Sequence, residues 1–225
     1  MRDYSNFIGG EWISPASGQR FQTLNPADTR EAVAEYSAGS QADAAAAVAA
    51  AKEAFPKWSG LTPVACGRIL SKAFQILESR KAELSDLLTR EEGKTLPESQ
   101  GEVQRAIDIF RFFGGLSYTL GGQTLPHDLP HNLLYTVRQP LGVVALITPW
   151  NFPIAIPAWK MAPALVSGNC VVIKPASNTA ITAVKLAELF QDAGLPPGVV
   201  NVITGPGSTG GLLIAHPTTV KIAFT

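Results

Sequence analysis

Two rhythms of apolar residues divide this chain, and the change between them falls near residue 141. Before it, the first forty residues carry short apolar and aromatic runs separated by turn residues, as short strands do. The stretch Asn6-Phe7-Ile8-Gly9-Gly10-Glu11-Trp12 sets a glycine pair between two such runs, a β-hairpin signal. Strands are also predicted over 21–24 and 32–36. Helical periodicity follows. Residues 41–54 are alanine-rich, with Ser40 placed to cap the amino end. Thr62-Pro63 opens 63–78 with a capping hydroxyl and a proline at the first helical position, where no N–H is needed. Ile69, Leu70, Ala73, Phe74, Ile76 and Leu77 give that helix a broad apolar face. Further helices are predicted over 81–92 and 98–113, separated by Gly93 and Pro97. The polar stretch 123–132 reads as a loop leading into a strand over 133–138.

Beyond residue 141 strand and helix alternate. The run 143–147 is continuously apolar, as in a strand buried on both faces. A helix over 157–166, a strand over 170–173, a helix over 182–192 and a strand over 199–203 come next. A glycine-rich loop then opens a short helix to Ala215, and 220–224 is a fourth strand. This alternation predicts an α/β architecture: a parallel sheet with helices on both faces.

Composition narrows the partners. Eighteen basic and eighteen acidic residues cancel, which argues against a dedicated nucleic-acid binder. The amino terminus has no apolar signal-like segment, and no run approaches the length of a membrane span, so a cytoplasmic protein is expected. With only Cys66, Cys170 and three histidines, neither a disulfide framework nor a metal site is expected.

Three segments at predicted strand ends hold the candidate chemistry. Ligands of open α/β sheets bind outside the carboxyl ends of the strands. Gly205-Pro206-Gly207-Ser208-Thr209-Gly210-Gly211 follows a strand and opens a helix, so it suits either a phosphate at a helix amino terminus or a tight packing turn. Lys174 ends the 170–173 strand, where it can meet a ribose or phosphate, or simply extend its stem from a buried strand. Thr148-Pro149-Trp150-Asn151-Phe152-Pro153 ends the 143–147 strand, with two prolines that force one rigid irregular shape. Asn151 there fits two roles, an oxyanion donor or a partner for the local turn. Cys66 lies in the first turns of a helix, where a dipole can lower a thiol pKa, yet no histidine is near it in sequence. Both cysteines are read as packing residues, and His127, His131 and His216 receive no role.

These residues resemble a known family. The segment "ITPWNFPIAIPAWKMAPALVSGNCVVIKPASNT", then "GLPPGVVNVITGPGSTGG" and "KIAFT", are similar to NAD(P)-dependent aldehyde dehydrogenases, as are "NFIGGEW", "NPAD" and "EEGKTLPES". Within that superfamily the chain most resembles semialdehyde dehydrogenases, including the oxoglutarate-semialdehyde type. The resemblance implies a Rossmann-like cofactor domain over 141–225, preceded by amino-terminal strands and helices over 1–122 and an oligomerisation arm over 123–140. It also implies a homodimer or homotetramer.

Residue by residue, the resemblance makes Asn151 the amide that stabilises the oxyanion formed when a cysteine thiolate attacks the aldehyde. Losing such a donor typically costs about 2.7–4 kcal/mol in the barrier. Ile147, Thr148, Pro149 and Trp150 match the segment lining the cofactor, and Lys174 the lysine that binds the adenosine ribose. Gly205, Gly207 and Gly211 match the glycine loop, and Phe224 and Thr225 the start of a Phe-Thr-Gly-Ser motif. Phe152, Ile156 and Trp159 are implied to line a substrate tunnel, and Lys160 to lie close to the active site. Ser177 stands where strongly NAD-preferring members often carry glutamate; a neutral hydroxyl there tolerates a 2′-phosphate, so NADP is expected to be accepted, with NAD also usable.

The family's nucleophilic cysteine and general-base glutamate have no counterpart at the matching places in this chain, so it is expected to hold the cofactor half and to be inactive alone. A non-catalytic nucleotide-binding module and a CoA-acylating relative are the alternative readings. Apolar surface that suits a missing half is expected to lie exposed.

Overall fold

The computed structural model describes residues 2–225. Five strands open the chain: β1 (Arg2–Tyr4), β2 (Asn6–Ile8), β3 (Glu11–Ile13), β4 (Arg20–Asn25) and β5 (Asp28–Ser37). Four helices follow: α1 (Gln41–Ser59), α2 (Pro63–Ser79), α3 (Lys81–Glu92) and α4 (Leu96–Leu116). Next come the two-residue strands β6 (Thr124–Leu125) and β7 (Leu134–Tyr135). The remainder alternates as expected: β8 (Val143–Ile147), α5 (Ala155–Val166), β9 (Cys170–Lys174), α6 (Ile181–Asp192), β10 (Val200–Val202), α7 (Gly207–Ala215) and β11 (Thr219–Phe224).

The main sheet has the order β11-β8-β9-β10-β2-β3. Its first four strands are parallel, as the buried apolar runs predicted. The sheet is mixed rather than purely parallel, because the β2–β3 hairpin joins β10 antiparallel. Gly9 and Gly10 turn that hairpin with φ of 62° and 90°, values that side chains strongly disfavour. The amino-terminal segment therefore supplies two strands of the sheet as well as packing on it. Helices α1 and α7 lie together on strands β8 and β9, α5 and α6 also contact the sheet, and α2–α4 form an outer layer over α5 and α6. Strand β5 forms a separate three-stranded sheet with β1 and β4.

Three of the differences from the sequence pattern have a clear physical reason. Helix α1 continues past residue 54 and through Pro56, which lacks one helical N–H, because the extra turn buries Trp58 in the core. Helix α4 starts at Leu96, so Pro97 lies in its first turn rather than between helices; Thr95 and Glu98 form a reciprocal capping box around that start. The strand expected over 133–138 shrinks to Leu134–Tyr135, paired only with Thr124–Leu125. Residues 121–139 are all exposed, so no apolar face holds a longer ladder.

Two buried glutamates tie the outer helices to the sheet layer. Helices α5 and α6 begin at Ile154 and Ala180 without a capping side chain of their own. Glu102 of α4 accepts from the amides of Ile154 and Ala155 at 2.9 and 3.1 Å. Glu91 of α3 accepts from the Ile181 amide at 2.9 Å and from the Tyr36 hydroxyl. Each carboxyl thus does from a distance what an N-cap residue does locally.

Burial holds the Glu91 carboxyl up to about 8 against an ordinary 4.5, with the Tyr36 and Ile181 hydrogen bonds pulling the other way. Folding then takes up a proton between about 4.5 and 8, and stability falls as pH rises through that window. Thermal unfolding of wild type and Glu91→Gln across it is the check. The wild-type midpoint is expected to fall with rising pH relative to that of the variant, whose side chain does not titrate.

Candidate functional site

The carboxyl ends of the parallel strands meet in register. Phe224 of β11 pairs with Ile147 of β8, and Ile147 pairs with Lys174 of β9. The Thr225 amide donates to the Ile147 carbonyl at 3.2 Å, and the Thr148 amide to the Lys174 carbonyl at 3.3 Å. Residues 147, 174, 224 and 225 therefore share one rim. Helix α7 stands over it: a Cβ built on Gly210 would lie 3.5 Å from Ile147 Cδ1 and 3.6 Å from Lys174 Cδ.

Lys174 is only 5% exposed, and burial lowers its pKa. Its ammonium makes no hydrogen bond or ion pair among the described residues. A desolvated cation without a partner fits a site for an anionic or hydroxyl-bearing group. The amino end of α7, at Pro206, likewise carries no side-chain cap, leaving amide donors for a phosphate.

The glycine segment is less of a loop than the sequence suggested. Gly207 and Gly211 lie inside α7, where a Cβ on either would meet open space, and only Gly205 takes a positive φ, 149°. The sequence reading missed Gly39. Its amide donates to the Thr204 carbonyl at 2.8 Å, its carbonyl accepts from Thr209 Oγ1 at 3.0 Å, and a Cβ there would lie 2.4 Å from Ile203 Cγ2. The β5–α1 junction thus clamps the turn after β10, a contact between residues too far apart in sequence for a local pattern.

The 148–153 segment is held at its last three carbonyls. Pro153 accepts from Thr182 Oγ1 at 2.8 Å, and Phe152 accepts from the Ile156 amide at 3.0 Å. The Asn151 carbonyl accepts from Lys94 Nζ at 3.0 Å. Lys94 also donates to Glu102 at 2.5 Å, lies 3.4 Å from Glu92, and sits 4.5 Å from the Phe152 ring centre. This cluster was not legible in the sequence beyond the charge density of "EEGK" before Glu102. Asn151 is exposed, and its side-chain amide has no partner among the described residues, so it does not serve the local turn.

Other candidates separate into two cavities. Trp150, 57% exposed, and Ser177 line a cavity of about 340 Å³ with Thr23, Glu91 and Glu92. Lys160 and Trp159 line a larger apolar cavity of about 630 Å³ between α4, α5 and the β8–β11 edge, to which Asn151 does not contribute. Burial lowers the Lys160 pKa. Phe152 and Trp159 stack at 6.5 Å and present surface, and Ile156 is buried.

Both cysteines are buried free thiols. Burial pushes Cys66 up to about 11 and Cys170 to about 12, so no helix dipole activates Cys66. Among the described residues no cluster of three potential metal ligands occurs, and no helix is long and apolar enough to cross a membrane.

Known proteins share this arrangement. A curated relative from Haloferax volcanii, named alpha-ketoglutarate semialdehyde dehydrogenase, is 48% identical over 98% of this chain and 46% of its own length. The crystal structure of an NAD-dependent aldehyde dehydrogenase from Sinorhizobium meliloti matches 99% of this chain and 45% of its own, at 34% identity and a TM-score of 0.95. An NADP-dependent enzyme of E. coli matches 99% and 46%, at 36% identity and a TM-score of 0.95. This chain thus spans about half the length of the proteins it matches. Residues 12–225 fit the model of the aldehyde dehydrogenase family, and the chain belongs to that family.

Proposed function

We propose that this chain is the cofactor-holding half of an NAD(P)-dependent dehydrogenase that oxidises a small semialdehyde to its acid. The carrying observation is Lys174, a buried ammonium without a partner among the described residues, beside the uncapped amino end of α7. In this reading Lys174 binds the ribose hydroxyls, α7 and Gly205 receive the pyrophosphate, and residues 147–150 flank the nicotinamide side. The dinucleotide, once bound, supplies a hydride acceptor. Asn151 turns its free amide toward the aldehyde oxygen and stabilises the negative charge that develops there. Phe152 and Trp159 exclude water from an apolar approach. The semialdehyde is suggested by the name of the Haloferax volcanii relative.

NADP is accepted in this reading because Ser177 is neutral. Glu91 and Glu92 share its cavity, but burial raises both pKa values, which lessens the negative charge near a 2′-phosphate. The exposed apolar arm residues Leu125, Leu133, Tyr135 and Val137 support a homodimer or homotetramer, and the rest of the proposal is a cytoplasmic setting.

Titration of the chain with NADP, followed by calorimetry, tests the reading. Wild type is expected to bind, and Lys174→Met to bind about tenfold or more weakly, the loss of roughly 1.4 kcal/mol. Equal affinity in the two proteins removes Lys174 from the site. Ser177→Glu is expected to weaken NADP binding while sparing NAD; an unchanged ratio of the two affinities would count against the assignment. The chain alone, offered aldehyde and NADP, is expected to form no reduced nicotinamide, because both of its thiols are buried and held protonated.

A further inference from the structure

We propose that Lys94 and Glu102 are positioning residues for Asn151, holding the peptides from 151 to 155 so that its amide has a single aim. This inference rests on the reading of Asn151 as the oxyanion donor.

Asn151 has no side-chain partner among the described residues, so its backbone directs the amide. Prolines at 149 and 153 restrict their own φ but leave the ψ of Asn151 free. Lys94 closes that gap. Its Nζ lies 3.0 Å from the Asn151 carbonyl, whose oxygen shares a rigid peptide plane with the Phe152 amide. The ammonium donates to Asn151 O at 3.0 Å and Glu102 Oε2 at 2.5 Å, and Glu92 Oε2 lies 3.4 Å away as a further ion-pair partner. Glu102 is itself 3% exposed, and its other oxygen grips the Ile154 and Ala155 amides at 2.9 and 3.1 Å. One carboxylate therefore anchors the start of α5 and, through Lys94, the peptide three residues earlier. The Lys94–Glu102 pair is largely shielded from water, with side chains 12% and 1% exposed, and so is stiffer than a surface ion pair, while the Lys94–Asn151 bond at its outer end is exposed.

The double variant Lys94→Met/Glu102→Gln isolates the effect. It leaves no unpaired partner of that ion pair, and its glutamine oxygen still accepts from the amides of 154 and 155. Backbone amide order parameters of the full chain, by NMR, provide the readout. In wild type the Phe152 amide is expected near the rigid value of about 0.85, and in the double variant below about 0.6. Ile181, capped by Glu91 instead, is expected to stay rigid in both. Lys94→Arg, which keeps the charge, is expected to restore much of the order at Phe152. A mobile Phe152 amide in wild type overturns the proposal without any variant, as does an equally rigid one in a folded double variant. NADP titration of the wild-type chain reports separately on the functional reading: absent binding would sink that reading and leave the order parameters to judge the anchor.

Discussion

Everything at the rim depends on two helices that cannot finish their own amino ends. The segments entering α5 and α6 carry Ile154 and Ala180 where Ser, Thr, Asp or Asn would normally cap. Their donors are satisfied by Glu102 and Glu91, which lie 52 and 90 residues earlier in the chain. Leaving a buried donor without its acceptor costs about 1–3 kcal/mol, so the outer helical layer and the sheet layer hold each other in place. Removing α3 and α4 would take away the caps of the helices that follow β8 and β9, together with the hold on the turn that carries Asn151.

That dependence explains what the sequence could and could not reveal. Continuous apolar runs and a period of 3.6 mark elements through the residues they bury, so β8, β9, α2 and α6 were legible from a single chain. The glycine pair at 9–10 announced a hairpin for the same local reason. Its place as the antiparallel edge of the parallel sheet was not legible, since the pairing of Phe7 with Val202 joins opposite ends of the chain. The helical run through Pro56 was missed because burial of Trp58 outweighs a local breaker.

The candidate site divides in the same way. Strand ends placed Ile147, Lys174 and Phe224 on one rim, because parallel strands in register must end together. Side chains that reach the rim from elsewhere left no trace in the pattern. Lys94, in the turn between α3 and α4, and Glu102 of α4 look like ordinary surface charges until the fold closes over them, leaving their side chains 12% and 1% exposed. Ile156, implied by the resemblance to line a tunnel, is buried among its neighbours in this chain.

The joint between β2 and β10 also sets a schedule. Asn6 accepts from the Thr204 amide, and the Gly9 amide donates to Asn201, contacts that span 198 and 192 residues. At about 5–20 residues per second on a ribosome, the hairpin is finished roughly 10–40 s before the strand it joins has been made. Throughout that interval Phe7 and Ile8 have no sheet to enter, and their unpaired backbone is open to any passing strand. Nascent chains are therefore exposed to mispairing at residues that, in the finished fold, are buried.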